Sequence, residues 1–198
     1  MIATETRSRY DDARRAMIDS QLRTSGVNEP FVLARMGTVP REDFVPQELR
    51  AAAYADRAVR LPGGGALPAP LFHGLLLAEA RPTGEDRVLV VDGGSGYLAA
   101  LVEPMVANLT RVSPEDAAAG KVKGEHTLVL VDGAIEHVPE ALAKKLPEGA
   151  RIVTGLVERG ITRLAVGRKA GGALGLVALA ETGVPRLAAF DRKAGWSF

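Results

Sequence analysis

The feature that most constrains this chain is a run of apolar residues, Thr127, Leu128, Val129, Leu130 and Val131, closing on Asp132. A short apolar run without polar alternation, rich in β-branched side chains, suits a strand covered on both faces, as in a parallel sheet. Val88 to Val91 has the same character, Arg151 to Leu156 is a further strand, and Leu109 to Val112 is a weaker candidate. Helical stretches stand between them, from Tyr97 to about Ala107 and from Glu140 to Leu146. Strands alternating with helices predict an α/β layer architecture with a mostly parallel sheet. Thr162 to Val166 and Leu174 to Leu179 flank Gly171 and Gly172 and predict a closing hairpin.

The first eighty residues read differently, as helices and loops. Tyr10, Ala13, Met17, Ile18 and Leu22 recur at helical spacing, with Gly26 as a stop. Pro30 fits the first turn of a second helix reaching about Met36, with Asn28 as its cap, and a third short helix is expected from Gln47 to Tyr54. Leu61 to Pro70 is rich in glycine and proline and is expected to be an irregular loop over the sheet's edge, because a helix resumes from Leu71 to Ala80. Leu71 to Leu77 is apolar enough to bury against the sheet or against a partner. The chain of 198 residues suits one domain, with residues 1–80 as a helical region and 81–198 as the sheet region.

Composition excludes several functions. Hydrophobic residues at 46% and charged residues at 25% are globular proportions, and a net charge of +1 provides no field to hold nucleic acid or an anionic membrane. The basic pairs Arg14-Arg15 and Lys144-Lys145 read as solvated helix faces. With no cysteine, disulfides, thiolate catalysis and cysteine-ligated zinc are ruled out. His73, His126 and His137 form no metal-ligand spacing, so no metal is expected. Met1 to Arg14 lacks the apolar core of a signal peptide, and no stretch approaches the roughly 20 apolar residues that span a bilayer. A cytoplasmic location is expected.

Between the first strand and its helix lies a glycine-rich turn, Asp92, Gly93, Gly94, Ser95 and Gly96. Glycines there admit a ligand close to the backbone, and the helix that follows presents free N–H groups. On these residues alone, a nucleotide-type ligand site and a plain tight turn are both open readings. Asp132 ends a strong strand, where α/β sheets place ligand-contacting residues, and Glu136 and His137 follow on the next loop. They offer acid/base chemistry on one reading and loop solvation with helix capping on the other. His73 reads as a structural residue of an amphipathic helix and His126 as exposed. Tyr97 and Phe44 suit a ligand or the core, and Trp196 suits packing of the tail.

Longer motifs identify a family. Met17 to Leu22, Gly26-Val27, Val32 to Met36, Val39 to Pro46 and Ala53 to Asp56 resemble the N-terminal region of protein-L-isoaspartate O-methyltransferases. Val88 to Tyr97 resembles that family's first cofactor motif, and Val138 to Leu142 the segment after its fourth strand. The resemblance implies a Rossmann-like S-adenosylmethionine-dependent methyltransferase fold, with a substrate loop in the N-terminal region. It also implies S-adenosylmethionine as cofactor, a protein or peptide substrate, and methylation of isoaspartyl carboxylates. Asp92, Gly93, Gly94, Ser95, Gly96 and Asp132 are the cofactor-contact positions it suggests.

Four departures stand out against that pattern. The family's substrate loop resembles Gly-Gln-Thr-Ile-Ser-Gln-Pro, whereas this chain has Gly64, Gly65, Ala66, Leu67, Pro68, Ala69 and Pro70, so the family's serine falls on Pro68. The acid of the first strand falls on Val90, and Asp92 takes the place of the first glycine, where its carboxylate could turn toward the methionine ammonium or crowd the turn. The ribose-holding acid falls on Ser113, with Glu115 nearby. Only Ser113 to His126 separate the second strand from Thr127, room for one parallel crossover of a dozen or so residues and not for the family's third strand. The expectation is a fold lacking one strand and a methylation activity impaired or lost. The alternatives are an active enzyme, a non-catalytic binding or scaffolding module, and a changed ligand at the glycine turn.

Overall fold

The computed structural model describes residues 2–192, so Trp196 lies outside the described residues. The N-terminal helix α1 (Ile2–Met17) runs through a wider turn to Leu22 and a tight one to Ser25, where Gly26 at φ 89° stops it. Helix α2 (Pro30–Thr38) starts with Pro30 in its first turn, where a missing N–H does no harm. Glu29, and not the expected Asn28, is its flanking residue, without a side-chain cap. Arg41–Phe44 and Gln47–Ala52 are tight helical turns.

The glycine- and proline-rich stretch holds more structure than its composition suggests. Strands β1 (Val59–Arg60) and β2 (Ala66–Leu67) pair antiparallel and lead into α3 (Pro70–Ala80). Phe72, His73, Gly74, Leu76, Leu77 and Ala80 of α3 are all buried. A helix apolar nearly all round belongs inside a core, and α3 lies between the sheet and the N-terminal helices, so it is not the amphipathic element expected.

The main sheet takes β3 (Arg87–Val91), β4 (Asn108–Val112), β5 (Leu128–Ile135), β6 (Arg151–Glu158), β7 (Ile161–Ala170) and β8 (Ala173–Glu181) in the order β4-β3-β5-β6-β7-β8. The first four strands in that order are parallel, and β6, β7 and β8 are joined antiparallel through turns at Arg159-Gly160 and Gly171-Gly172. Helix α4 (Tyr97–Val102) links β3 to β4, and α6 (Glu140–Ala143) lies between β5 and β6. Between β4 and β5 stands only α5 (Pro114–Ala118), and β5 pairs directly with β3. Among the described residues β4 is therefore the outer strand, and the single crossover expected from the short connection is what the chain forms.

Two apolar layers enclose the sheet. Val88, Val90, Leu128, Leu130 and Val153 face α1–α4, while Leu89, Val91, Val129, Val131 and Ile152 face α5, α6 and the C-terminal Leu187 and Phe190. That alternation comes directly from the period-two geometry of strands buried on both sides. Among the described residues no helix is long and apolar enough to cross a membrane.

Candidate functional site

The chain steps from β3 outward to β4 and then crosses back past β3 to β5 on its other side, and this reversal of strand order opens a crevice at the carboxyl ends of the strands. The turn Asp92–Gly96 and residue Asp132 meet there. A Cβ on Gly93 would stand 2.1 Å from the Asp132 carbonyl oxygen, so only glycine lets the two strands' ends approach.

Asp92 folds back onto its own turn. Its Oδ1 accepts the N–H groups of Gly94 (3.2 Å) and Gly96 (2.9 Å), the donors that a helix N-terminus would otherwise aim at an anion. Its Oδ2 takes Arg111 Nε at 2.8 Å and Nη2 at 2.5 Å. Arg111 lies opposite Val90 in the β3–β4 register, and its guanidinium passes over Gly96, with Nη1 3.0 Å from where a Cβ there would sit. The Asp92 side chain is 6% exposed and that of Arg111 53%. Of the two orientations open to Asp92, the carboxylate occupies the turn and does not reach outward.

The loop before α3 closes on the same turn, which corrects the expectation that it lies over the sheet's edge. Ala66 N–H donates to the Gly93 carbonyl at 2.9 Å, and Ala66 and Gly94 form an isolated β-bridge. Gly65, at φ 75°, passes so close that a Cβ would be 2.2 Å from the Gly93 oxygen. The path is held from beneath by buried Arg41. Its Nε donates to the Ala53 carbonyl (2.8 Å), its Nη2 to the Pro68 carbonyl (2.6 Å), and its Nη1 to His73 Nδ1 (3.1 Å). The guanidinium lies over the Tyr97 ring, 4.7 Å from its centroid.

Arginine has no acceptor, so His73 Nδ1 must carry the lone pair and Nε2 the proton. Nε2–H then donates to Asp132 Oδ1 at 2.8 Å, and Ser95 Oγ reaches Asp132 Oδ2 at 3.4 Å. Burial pushes the His73 pKa down, Asp132 opposes this and Arg41 adds to it, so the ring is neutral. Both side chains are wholly buried. Asp132 is thus part of a buried polar chain, Arg41–His73–Asp132–Ser95, which corrects its reading as a solvated loop or capping residue.

The other candidates disperse. Glu136 accepts Arg186 Nη2 and the Arg192 N–H, both at 2.7 Å, clamping the C-terminal segment. His137 lines a separate cleft with Leu156, Glu158 and Arg163. His126 is 2% exposed, not exposed as expected, with Nε2 3.1 Å from the Lys123 carbonyl. Tyr97 is fully buried and stands edge-on to Phe44 at 5.2 Å, so both belong to the core. Arg14 is no solvated residue either. It donates to Tyr54 Oη (2.9 Å) and to Glu42 (3.1 Å), and Tyr54 in turn donates to Glu42.

Beside the turn lies an open cleft of about 720 Å³, bounded by Gly64, Asp92, Gly94, Ser113, Glu115 and Leu187. Ser113 Oγ accepts the Asp116 N–H at 3.1 Å and so caps α5. Val90 is buried in β3. The C-terminal segment runs along the end of β5, where Ala134 N–H donates to the Pro185 carbonyl and Leu187 N–H to the Ala134 carbonyl, both at 2.8 Å. Leu187 packs on Gly133, and Phe190 is buried in the layer with Ala117 of α5. The residues that shape this site without any motif to announce them are Arg111, His73 and Leu187, while Arg41 stands within the Val39 to Pro46 motif without its role there being legible. Only the strand register, which puts Arg111 two residues short of the turn on a neighbouring strand, could have pointed to the first.

A sequence model of the family described as protein-L-isoaspartate(D-aspartate) O-methyltransferase matches residues 12–119, more than half the chain, ending just past α5. The protein-L-isoaspartate O-methyltransferase of Koribacter versatilis is 32% identical over 186 aligned positions, covering 81% of this chain and 84% of that protein. That of Methanoregula boonei is 29% identical, covering 72% of this chain and 77% of its own length. Among solved structures, one described as a protein-L-isoaspartate O-methyltransferase of Plasmodium falciparum, in complex with S-adenosyl-L-homocysteine, superposes with a TM-score of 0.69 at 18% identity. It covers 91% of this chain and 98% of that one. With its mostly parallel sheet, its glycine turn at the crevice and this breadth of similarity, the chain belongs to the protein-L-isoaspartate O-methyltransferase family.

Proposed function

We propose that this chain is a family member in which S-adenosylmethionine-dependent methylation of isoaspartyl carboxylates is impaired or lost, and which serves instead as a binding or scaffolding module for a protein or peptide. The observation that carries the reading is the Asp92–Arg111 pair. It already satisfies the N–H groups of Gly94 and Gly96, two donors the turn would otherwise offer a ligand. The remaining groups do not fit the family's cofactor either. Ser113 is engaged as a helix cap, the crossover with α5 forms no third strand, and Leu187 and Phe190 fill the space beside β5. Among the described residues, none that lines the cleft has a buried side-chain polar atom without a partner. At the substrate loop, Pro68 has neither hydroxyl nor N–H to place beside a carboxylate.

The cleft of about 720 Å³ favours a second reading, an enzyme that still binds the cofactor after Arg111, half in solvent, swings away. One experiment separates the two. Calorimetric titration with S-adenosylhomocysteine, paired with a methyl-ester assay on an isoaspartyl peptide, is expected to show neither saturable binding nor turnover. Saturable binding together with turnover would establish the active enzyme and overturn the first reading.

A further inference from the structure

Strand β8 ends the sheet, and among the described residues no strand pairs with its outer side. An open edge presents a row of unpaired N–H and C=O groups, and proteins normally blunt one with charge, proline, a bulge or shortness. The opposite edge is blunted: β4 has five residues and carries Arg111. β8 has nine residues, and from Ala173 to Ala180 it contains no charged residue and no proline. Val177 is 63% exposed and Leu179 44%, two of the three most exposed large hydrophobic residues described.

We propose that β8 pairs antiparallel with β8 of a second copy, about a two-fold axis through Val177. The argument for a second copy lies in the strand's own sequence. Laid against itself in this register, Val177 meets Val177, Leu176 meets Ala178, Gly175 meets Leu179, and Leu174 meets Ala180. Apart from the valine on the axis, every large residue faces a small one, so side chains interdigitate on both faces. A Cβ on Gly175 would meet nothing within 4 Å, which leaves room for the partner's Leu179. No like charges are opposed, because Glu181 faces Ala173 and is already paired to Arg163 of its own chain at 2.9 Å. A shift by one residue would oppose side chains from different faces of the pleat, and a shift by two would set either Leu176 against Leu176 or Val177 against Leu179. An axis normal to the sheet reverses the strand direction of the partner. The two crevices then open on opposite sides of a continuous twelve-strand sheet, and neither is covered.

Sedimentation equilibrium across the micromolar to millimolar range tests this. The wild type should approach twice the 20.9 kDa chain mass. Val177→Lys sets two ammonium groups face to face across the axis and should weaken association by at least tenfold, while its melting temperature shows that the fold is kept. Val177→Glu should do the same, and an equimolar mixture of the two variants should recover the dimer. A wild type that stays monomeric throughout overturns the proposal, as does a dimer that tolerates both substitutions. A mixture that fails to associate overturns the register.

Discussion

Asp92 is the residue whose replacement tells most about the glycine turn. Asp92→Ala removes a carboxylate that is 6% exposed, accepts two backbone N–H groups and pairs with a guanidinium. The Arg111 contact contributes little to stability, because its guanidinium is half in solvent and such pairs are worth about 0–1 kcal/mol. The two N–H acceptor contacts matter more, since charge-assisted hydrogen bonds contribute about 1.5–3 kcal/mol each and solvent entering the cleft recovers part of that. A net loss of about 2–3 kcal/mol is expected. For a chain of this size that lowers Tm by about 4–12 °C. Asp92→Asn keeps one acceptor oxygen and should lose about half as much, while Arg111→Ala should shift Tm by no more than about 4 °C. Calorimetric melting of the three variants at neutral pH measures this ordering. If Asp92→Ala melts with the wild type, or if Arg111→Ala is the more damaging, the carboxylate is not what satisfies the turn.

Two further outcomes follow from the same neighbourhood. Because burial holds the His73 pKa below its unfolded value, the unfolded chain binds the extra proton first. Stability is then complete above about pH 6.5 and falls toward pH 5, by up to about 1.4 kcal/mol per pH unit for that one histidine. Urea unfolding at several pH values should show His73→Gln less stable at neutral pH but flatter toward acid, and parallel curves would argue that the fold does not shift the His73 pKa. Gly65→Ala places a methyl 2.2 Å from a backbone oxygen at φ 75° and should lower stability by about 1–3 kcal/mol, whereas Gly84→Ala, with open space around it, should be near neutral. Thermal melts that rank the two glycines equally would mean that the loop does not sit on the turn.

The strands of the sheet were legible because a parallel sheet needs long apolar runs, and those runs stand in the sequence at Val88–Val91, Thr127–Val131 and Arg151–Leu156. The closing hairpin and the single crossover after β4 followed from turn residues and from chain length, both local quantities. What escaped was non-local. His73 and Asp132 are 59 residues apart, and nothing in either segment announces the 2.8 Å contact between them. The Leu61 to Pro70 stretch reads as irregular because β1 and β2 are only two residues each, too short for alternation to register. His126 looked exposed because polar neighbours surround it in sequence, while the fold buries it. The role of Asp92 depended on a side chain from the neighbouring strand, which no single segment could disclose.

Arg41 grips the loop through the carbonyl oxygen of Pro68 and ties it to the segment before it through that of Ala53, groups that every amino acid possesses. An anchor that reads main chain alone is indifferent to which side chains the loop carries. The loop's course can therefore persist while its chemistry drifts, so that Pro68 can stand in the serine's place without unseating the segment. In this chain the path of the loop and the side chains it presents are set by different contacts.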